Sequence, residues 1–348
     1  MFELERSHLP VPGDVAALFR DIWRHIAGPG SAWTGEERVA MARAARAVRG
    51  HGDVGSELSG AVVDLIEVLV REPSAISQQT VDESVADIGL TGYLETVAVI
   101  SLVTGIDTFT SLVGLGIEPL PRPVAGSPVP PGRVRNLKPR KAWVPTTGLL
   151  IPRLALSALP PEQAITNRFL DRLYMDADQS RQVGSIRGLS PLKMELVVTA
   201  VSHGNRCFYC TLGHLVILQM MANRLGEVVD PIAIVDPGVE PGITGGKELI
   251  ELSRSATSLH PDAGTAKKVA AALGPEAAVT AAEVAAAFMM INRIVEATGQ
   301  PALEKQQERV RPTLERLGAM DFAHSGHTTV LEQPGTLQRV ARKLRSRR

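Results

Sequence analysis

Apolar residues recur at spacings of three and four through long, alanine-rich segments of this chain, while period-two alternation bounded by hairpin turns is scarce. A backbone accommodates that spacing only by winding into helices that turn one face inward. Leu58, Val62, Leu65, Ile66 and Leu69 form one such stripe, ended by Pro73. Val284, Phe288, Met289, Ile291 and Val295 form another within 282–297. The pattern specifies an all-α fold, and 348 residues suffice for two domains with a substantial core.

Proline divides the chain. Pro119, Pro121, Pro123, Pro128, Pro130, Pro131, Pro139, Pro145, Pro152, Pro160 and Pro161 fall in one stretch, which reads as an extended connector over 119–161. Trp143, Leu149, Leu150 and Ile151 are its candidate anchors. The connector separates an N-terminal helical unit, 1–118, from a second unit, 162–318, followed by a loop and a basic helix over 319–348.

The two units read as diverged repeats. Thr34 to Val39 can be laid on Ser190 to Glu195, each opening a helix behind a hydroxyl N-cap. Gly89, Asp107 and Gly114 match Gly274, Asn292 and Gly299 at identical spacing. The offset grows from 156 to 185 between these anchors, so the second copy carries about 29 more residues. They include the Gly- and Pro-rich run Asp236 to Gly246, expected as a loop over or near the site.

Thirty-seven basic residues balance thirty-seven acidic ones, so no global field draws the chain to nucleic acid, and the basic run Arg342 to Arg348 reads as a solvated helix end. The most apolar stretch, Tyr93 to Ile117, contains Glu95 and Asp107 and suits a buried helix better than a membrane span. The N-terminus lacks the apolar segment of a secretory signal, and a cytoplasmic location is expected. There, two cysteines three apart point to redox chemistry or metal binding rather than a structural disulfide.

Those cysteines are Cys207 and Cys210. Gly204-Asn205 stops one helix, and both thiols are expected in the first turn of the next, where free N–H groups and the helix dipole favour a thiolate. His214, four residues past Cys210, joins their stripe one turn on and can shuttle a proton. Glu195, on the preceding helix, can orient His214 if the two helices pack antiparallel. Dipole reasoning by itself makes Cys207 the more acidic thiol.

Glu195, the twelve-residue spacing to Cys207, the Cys-Phe-Tyr-Cys run and His214 together resemble the alkylhydroperoxidase D branch of the carboxymuconolactone decarboxylase-like family. The similarity is strongest over Leu189 to Asn223, with Ser202 and Asn205 where that motif carries small polar residues, and fainter over Leu273 to Pro301, which includes Asn292-Arg293. The resemblance implies two helical repeats of that type and a thiol peroxidase. Cys210 would attack the peroxide, Cys207 would resolve the sulfenic acid to a disulfide, and Glu195 with His214 would form the proton relay. It further implies a hydrogen peroxide or organic hydroperoxide substrate, an external dithiol reductant (dihydrolipoamide or a thioredoxin-like protein), no bound cofactor, and a homo-oligomer, with two fused repeats favouring a dimer. Tyr209 stands where that branch can carry a further histidine.

The N-terminal copy places Val39, His51, Val54 and Leu58 opposite the four site residues, so one reactive site per chain is expected. Other readings keep the dithiol as a general disulfide reductase or redox sensor. A non-enzymatic reading makes the chain a zinc-stabilised interaction protein with Cys207, Cys210, His214 and either His203 or Glu195 as ligands. His203 reads as a helix C-terminal dipole partner, His324 and His327 as a loop, and Met220-Met221 and Met289-Met290 as core fillers.

Overall fold

A computed structural model of the chain describes residues 4–52, 57–175, 178–179 and 184–329. Among these, eleven α-helices carry the architecture: α1 (Gly13–Ala27), α2 (Gly35–Val48), α3 (Gly60–Arg71), α4 (Gln78–Leu112), α5 (Pro160–Leu173), α6 (Pro191–Gly204), α7 (Phe208–Leu225), α8 (Gly246–Ala256), α9 (Ala263–Leu273), α10 (Pro275–Thr298) and α11 (Glu304–Arg316). Extended pairing among the described residues amounts to two-residue contacts, Leu137–Lys138 with Thr146–Thr147 and Ala302–Leu303 with Thr328–Thr329, and a single bridge between Ile186 and Leu189. The all-α expectation holds.

Local chemistry sets the helix starts. Thr34 accepts from the Glu37 amide while Glu37 accepts from the Thr34 amide, a reciprocal cap on α2. Ser190 caps α6 by accepting from the Lys193 amide, with Pro191 in the first turn. Gly89 interrupts α4 at φ 73°, ψ 158°, and Gly274 separates α9 from α10 at φ 96°, ψ 159°. This conformation favours glycine, and it recurs at the two positions aligned from the sequence.

The centre is an antiparallel pair, α4 against α10. The Tyr93 hydroxyl donates to the Ala297 carbonyl at 2.6 Å. Twelve residues on, Gly105 faces Ala286 so closely that a Cβ would lie 3.0 Å from the Ala286 carbonyl oxygen and 2.9 Å from the Phe169 ring. Both helices are long and apolar enough to cross a membrane by composition, yet here they are core helices, the most apolar window of α10 being wholly buried. Several buried charges are paired: Arg46 holds Asp107 at 2.7 and 2.9 Å, Arg38 lies 3.3 Å from Glu95 and 3.1 Å from Glu162, and Glu283 meets Arg172 at 3.2 Å and Arg187 at 3.1 Å.

Helices α2, α3 and α4 follow the same order as α6, α8 and α9–α10, and α7 falls between α6 and α8, where the first half has a short connection over 49–59. The connection from α6 to α8 holds both α7, the helix that carries the cysteines, and the Asp236 to Gly246 run. The aligned position Val54 and the basic run Arg342 to Arg348 lie outside the described residues.

The connector docks by backbone hydrogen bonds, Val124 to Ala27 and Val129 to Gly30 at 2.8 Å and Trp143 to Thr298 at 3.0 Å. Trp143 fills the space a side chain at Gly299 would need, since a Cβ there would come within 2.1 Å of the indole. Leu149 and Ile151 are exposed and do not anchor it as the sequence suggested. Helix α5 begins at Pro160, inside the proline-rich stretch, because proline suits a first helical turn.

Alanine at a helical glycine ordinarily stabilises by about 0.5–1 kcal/mol. Gly213 in α7 has open space around its would-be Cβ and Gly105 does not. Gly213→Ala should raise stability and Gly105→Ala should lower it by about 1–3 kcal/mol. Denaturant unfolding of both variants checks the opposite signs.

Candidate active site

Helices α6 and α7 form a tight hairpin. Gly204 is required at its end, because a Cβ there would lie 2.7 Å from Thr257 Oγ1. Arg206 then adopts a left-handed conformation at φ 54°, and the chain re-enters a helix. Asn205 donates to Asn292 Oδ1 at 2.9 Å, and Asn292 donates to Ser202 Oγ at 3.3 Å, which pins the turn to α10. Ser202 also accepts the Cys207 amide through its carbonyl at 2.9 Å.

Both thiols are free and lie 3.5 Å apart. Cys210 occupies the first turn of α7, but Cys207 is its N-cap residue (φ −80°, ψ 99°) and not a first-turn residue as expected. The two face different surroundings. Cys210 lines a pocket of about 400 Å³ with Glu195, His214, Tyr174, Phe288, Leu170, Ile217 and Ile291, closed on one side by Ile151 and Arg153 of the connector. Cys207 is absent from that lining and is fully buried.

Within the pocket, His214 Nδ1 lies 2.8 Å from Glu195 Oε2. The Tyr174 hydroxyl donates to Glu195 Oε1. Glu195 is buried and so engaged through both oxygens, while the His214 side chain keeps 18% of its surface. Phe288 stands edge-on to His214 at 4.8 Å and to Tyr174 at 5.0 Å, which fixes both rings. With Nδ1 committed to Glu195, His214 is left with Nε2 for proton exchange. Burial, followed by the Glu195 charge, pushes the Tyr174 phenol well above its usual value, so Tyr174 is a hydrogen-bond donor at neutral pH.

Glu195, Cys210 and His214 are thus brought together as the sequence predicted. Tyr174 and Phe288 were missed, since each arrives from a helix whose own spacing carries no chemical signal. The dipole argument for an acidic Cys207 is overturned: burial first, then its contacts with Cys210 and Glu296, push that thiol well above its usual value.

The far side of Cys207 holds a second group that sequence reasoning did not assemble. The Glu296 carboxyl, on α10, is hydrogen-bonded to the Cys207 thiol, and burial raises it to about 8. His324 Nε2 lies 3.2 Å from Glu296 Oε2, within ion-pair distance though outside hydrogen-bond geometry. Trp143 packs edge-on against His324 at 4.9 Å and tilted against His327 at 5.5 Å. His324 and His327 are therefore a built part of the core rim and not the partnerless loop expected. The one available signal was Glu296 itself, an acid in an alanine-rich apolar run.

Other expectations shift as well. His203 is bonded to the Leu317 carbonyl at 2.8 Å and burial pushes its imidazole down, so it is a neutral tether to the end of α11 rather than a charged dipole partner. No residue of Asp236 to Gly246 lines the Cys210 pocket. Tyr209 faces the Glu296 side, and Met220 is half exposed, unlike the buried Met221, Met289 and Met290. Among the described residues no three His, Cys, Asp or Glu side chains gather as a metal site. Comparison of the chain with protein-family models, with curated proteins and with solved structures gave no match.

Glu296 keeps its proton in the folded chain to about pH 8 and releases it near 4.5 when unfolded. Between those values the folded state holds more protons, so its stability falls as pH rises, by up to about 1.4 kcal/mol per pH unit. Glu296→Gln should remove this slope between pH 5 and 8. Urea unfolding across that range checks it, and equal slopes in both proteins would refute the raised pKa.

Proposed function

We propose that this chain is a thiol peroxidase that reduces organic hydroperoxides with the Cys207/Cys210 dithiol, as its resemblance to the alkylhydroperoxidase D branch implies. The observation that carries the reading is the meeting of Cys210, Glu195 and His214 on one pocket, with His214 Nδ1 held by Glu195. In the first step the Cys210 sulfur attacks the terminal oxygen of ROOH. The O–O bond breaks, Cys210 becomes a sulfenic acid, and the alkoxide leaves with a proton that His214 supplies. Cys207 then displaces hydroxide from Cys210, which gives the disulfide and, with one proton, water. An external dithiol returns two electrons and two protons.

Pocket shape argues for the substrate and the reductant. Leu170, Met175, Ile217, Phe288 and Ile291 offer apolar surface to an organic tail, which hydrogen peroxide lacks. Cys210 has 1% of its surface accessible and Cys207 none, so the bulky face of a folded protein cannot reach them without opening. A slender dithiol arm such as dihydrolipoamide suits the pocket better than a thioredoxin-like protein. The same burial argues against a general disulfide reductase acting on folded proteins.

Cumene hydroperoxide turnover with dihydrolipoamide should exceed hydrogen peroxide turnover in kcat/KM. Cys210→Ser should abolish it, and His214→Gln or Glu195→Gln should reduce it by about 10²–10⁴. Full turnover by Cys210→Ser would sink the proposal.

A further inference from the structure

The peroxidase cycle moves a proton at each sulfur, but Glu195 and His214 serve only the pocket that Cys210 faces. Cys207 must also lose its proton before it can attack Cys210, and it has no exposed surface from which water could take it. What Cys207 touches instead is Glu296.

Behind Glu296 lies a cavity of about 10 Å³, lined by Phe208, Tyr209, Glu296, Gln300, His324 and His327 among others. That volume suits a single water. Three of the lining side chains carry buried polar atoms without a hydrogen-bond partner: Glu296 Oε2, Gln300 Oε1 and His324 Nε2. Three partners are what an internal water typically takes. The backbone at Ser74 and Ile76 bonds the His324 imidazole from the other side, and Nε2 is left facing Glu296 without a hydrogen-bond partner.

We infer that Glu296 and His324 form a second proton relay, dedicated to Cys207, in which Glu296 takes the thiol proton as the disulfide closes and returns it when the disulfide is reduced. The inference rests on the peroxidase reading above. Glu296 is catalytic, since its carboxyl touches a reacting sulfur; His324 is a positioning and relay residue behind it. A neutral carboxyl is suited to the task. One oxygen accepts the proton from Cys207 while the other passes its own to His324, directly or through the cavity water, so no bare carboxylate is left buried.

The closure step balances internally. The Cys207 S–H bond breaks and the Cys207–Cys210 bond forms, and the Cys210 S–O bond breaks with its electron pair leaving on hydroxide. One sulfur is reduced as the other is oxidised, with no outside oxidant. The proton that Cys207 gives to Glu296 is matched by one the hydroxide takes on the pocket side, where His214 lies. In reduction the external thiolate attacks Cys210, the sulfur that faces the pocket, and Cys207 leaves and recovers its proton from Glu296. The titratable groups facing Glu296 are Cys207 and Tyr209 at the start of α7 and His324 and His327 after α11. No lysine or arginine lines this cavity.

The test separates closure from peroxide attack. Reduced full-length protein receives one equivalent of cumene hydroperoxide with dimedone present, and samples quenched in time are read by mass spectrometry of the peptide spanning Cys207 and Cys210. Native protein should give the disulfide. Glu296→Gln should slow closure by about a hundredfold, so that the dimedone adduct on Cys210 dominates. His324→Gln should shift the ratio the same way, and raising the pH should restore closure in it because hydroxide replaces the ring as final acceptor. Closure at the native rate in both variants overturns the relay while leaving the peroxidase reading intact. Neither adduct nor disulfide in native protein overturns the peroxidase reading, and the relay with it. If Glu296→Gln does not fold, His324→Gln decides alone: native-rate closure in it refutes the relay.

Discussion

Helix α10 has no side turned to water: every residue from Ala277 to Thr298 is buried. A helix of this kind can exist only if others wrap it completely, and α4, α6, α8 and α9 do so, with α5 and α7 completing the wrap. The closest approach is to α4, where glycine and alanine bring the two backbones together. Polar side chains on α10 must then find partners in the surrounding layer. Glu283 finds two arginines, Asn292 the α6–α7 turn, and Glu296 the Cys207 thiol. Arg293 has no carboxylate and donates to the carbonyls of Met289 and Val70, and burial lowers it to about 9. The site is thus built outward from the helix least accessible to solvent.

At Cys207 the environment outweighs the helix dipole. A dipole contributes about 0.3–1 kcal/mol at a helix end, up to about 2 in favourable cases. Removing an ion from water costs several kcal/mol even after relaxation. Cys207, as N-cap residue, sits where the dipole acts, but it lies under the α6–α7 turn against α10. Cys210 opens on the pocket.

Legibility followed distance along the chain. The helical pattern, the caps at Thr34 and Ser190, and the buried character of most of Tyr93 to Ile117 rest on neighbours within a few residues, and each could be read. Glu195 and His214 were legible because a tight hairpin brings helix faces 19 residues apart into register. Tyr174, Phe288 and His324 were not, since they arrive through packing of α5, α10 and the segment after α11.

His324, from the end of the described chain, is held by backbone at Ser74 and Ile76 and covered by Trp143 of the connector. The N-terminal half offers no thiol of its own, yet its backbone holds the imidazole that looks onto Glu296. An imidazole from the end of the described chain therefore stands beside Glu296 only while backbone of the first half holds it there.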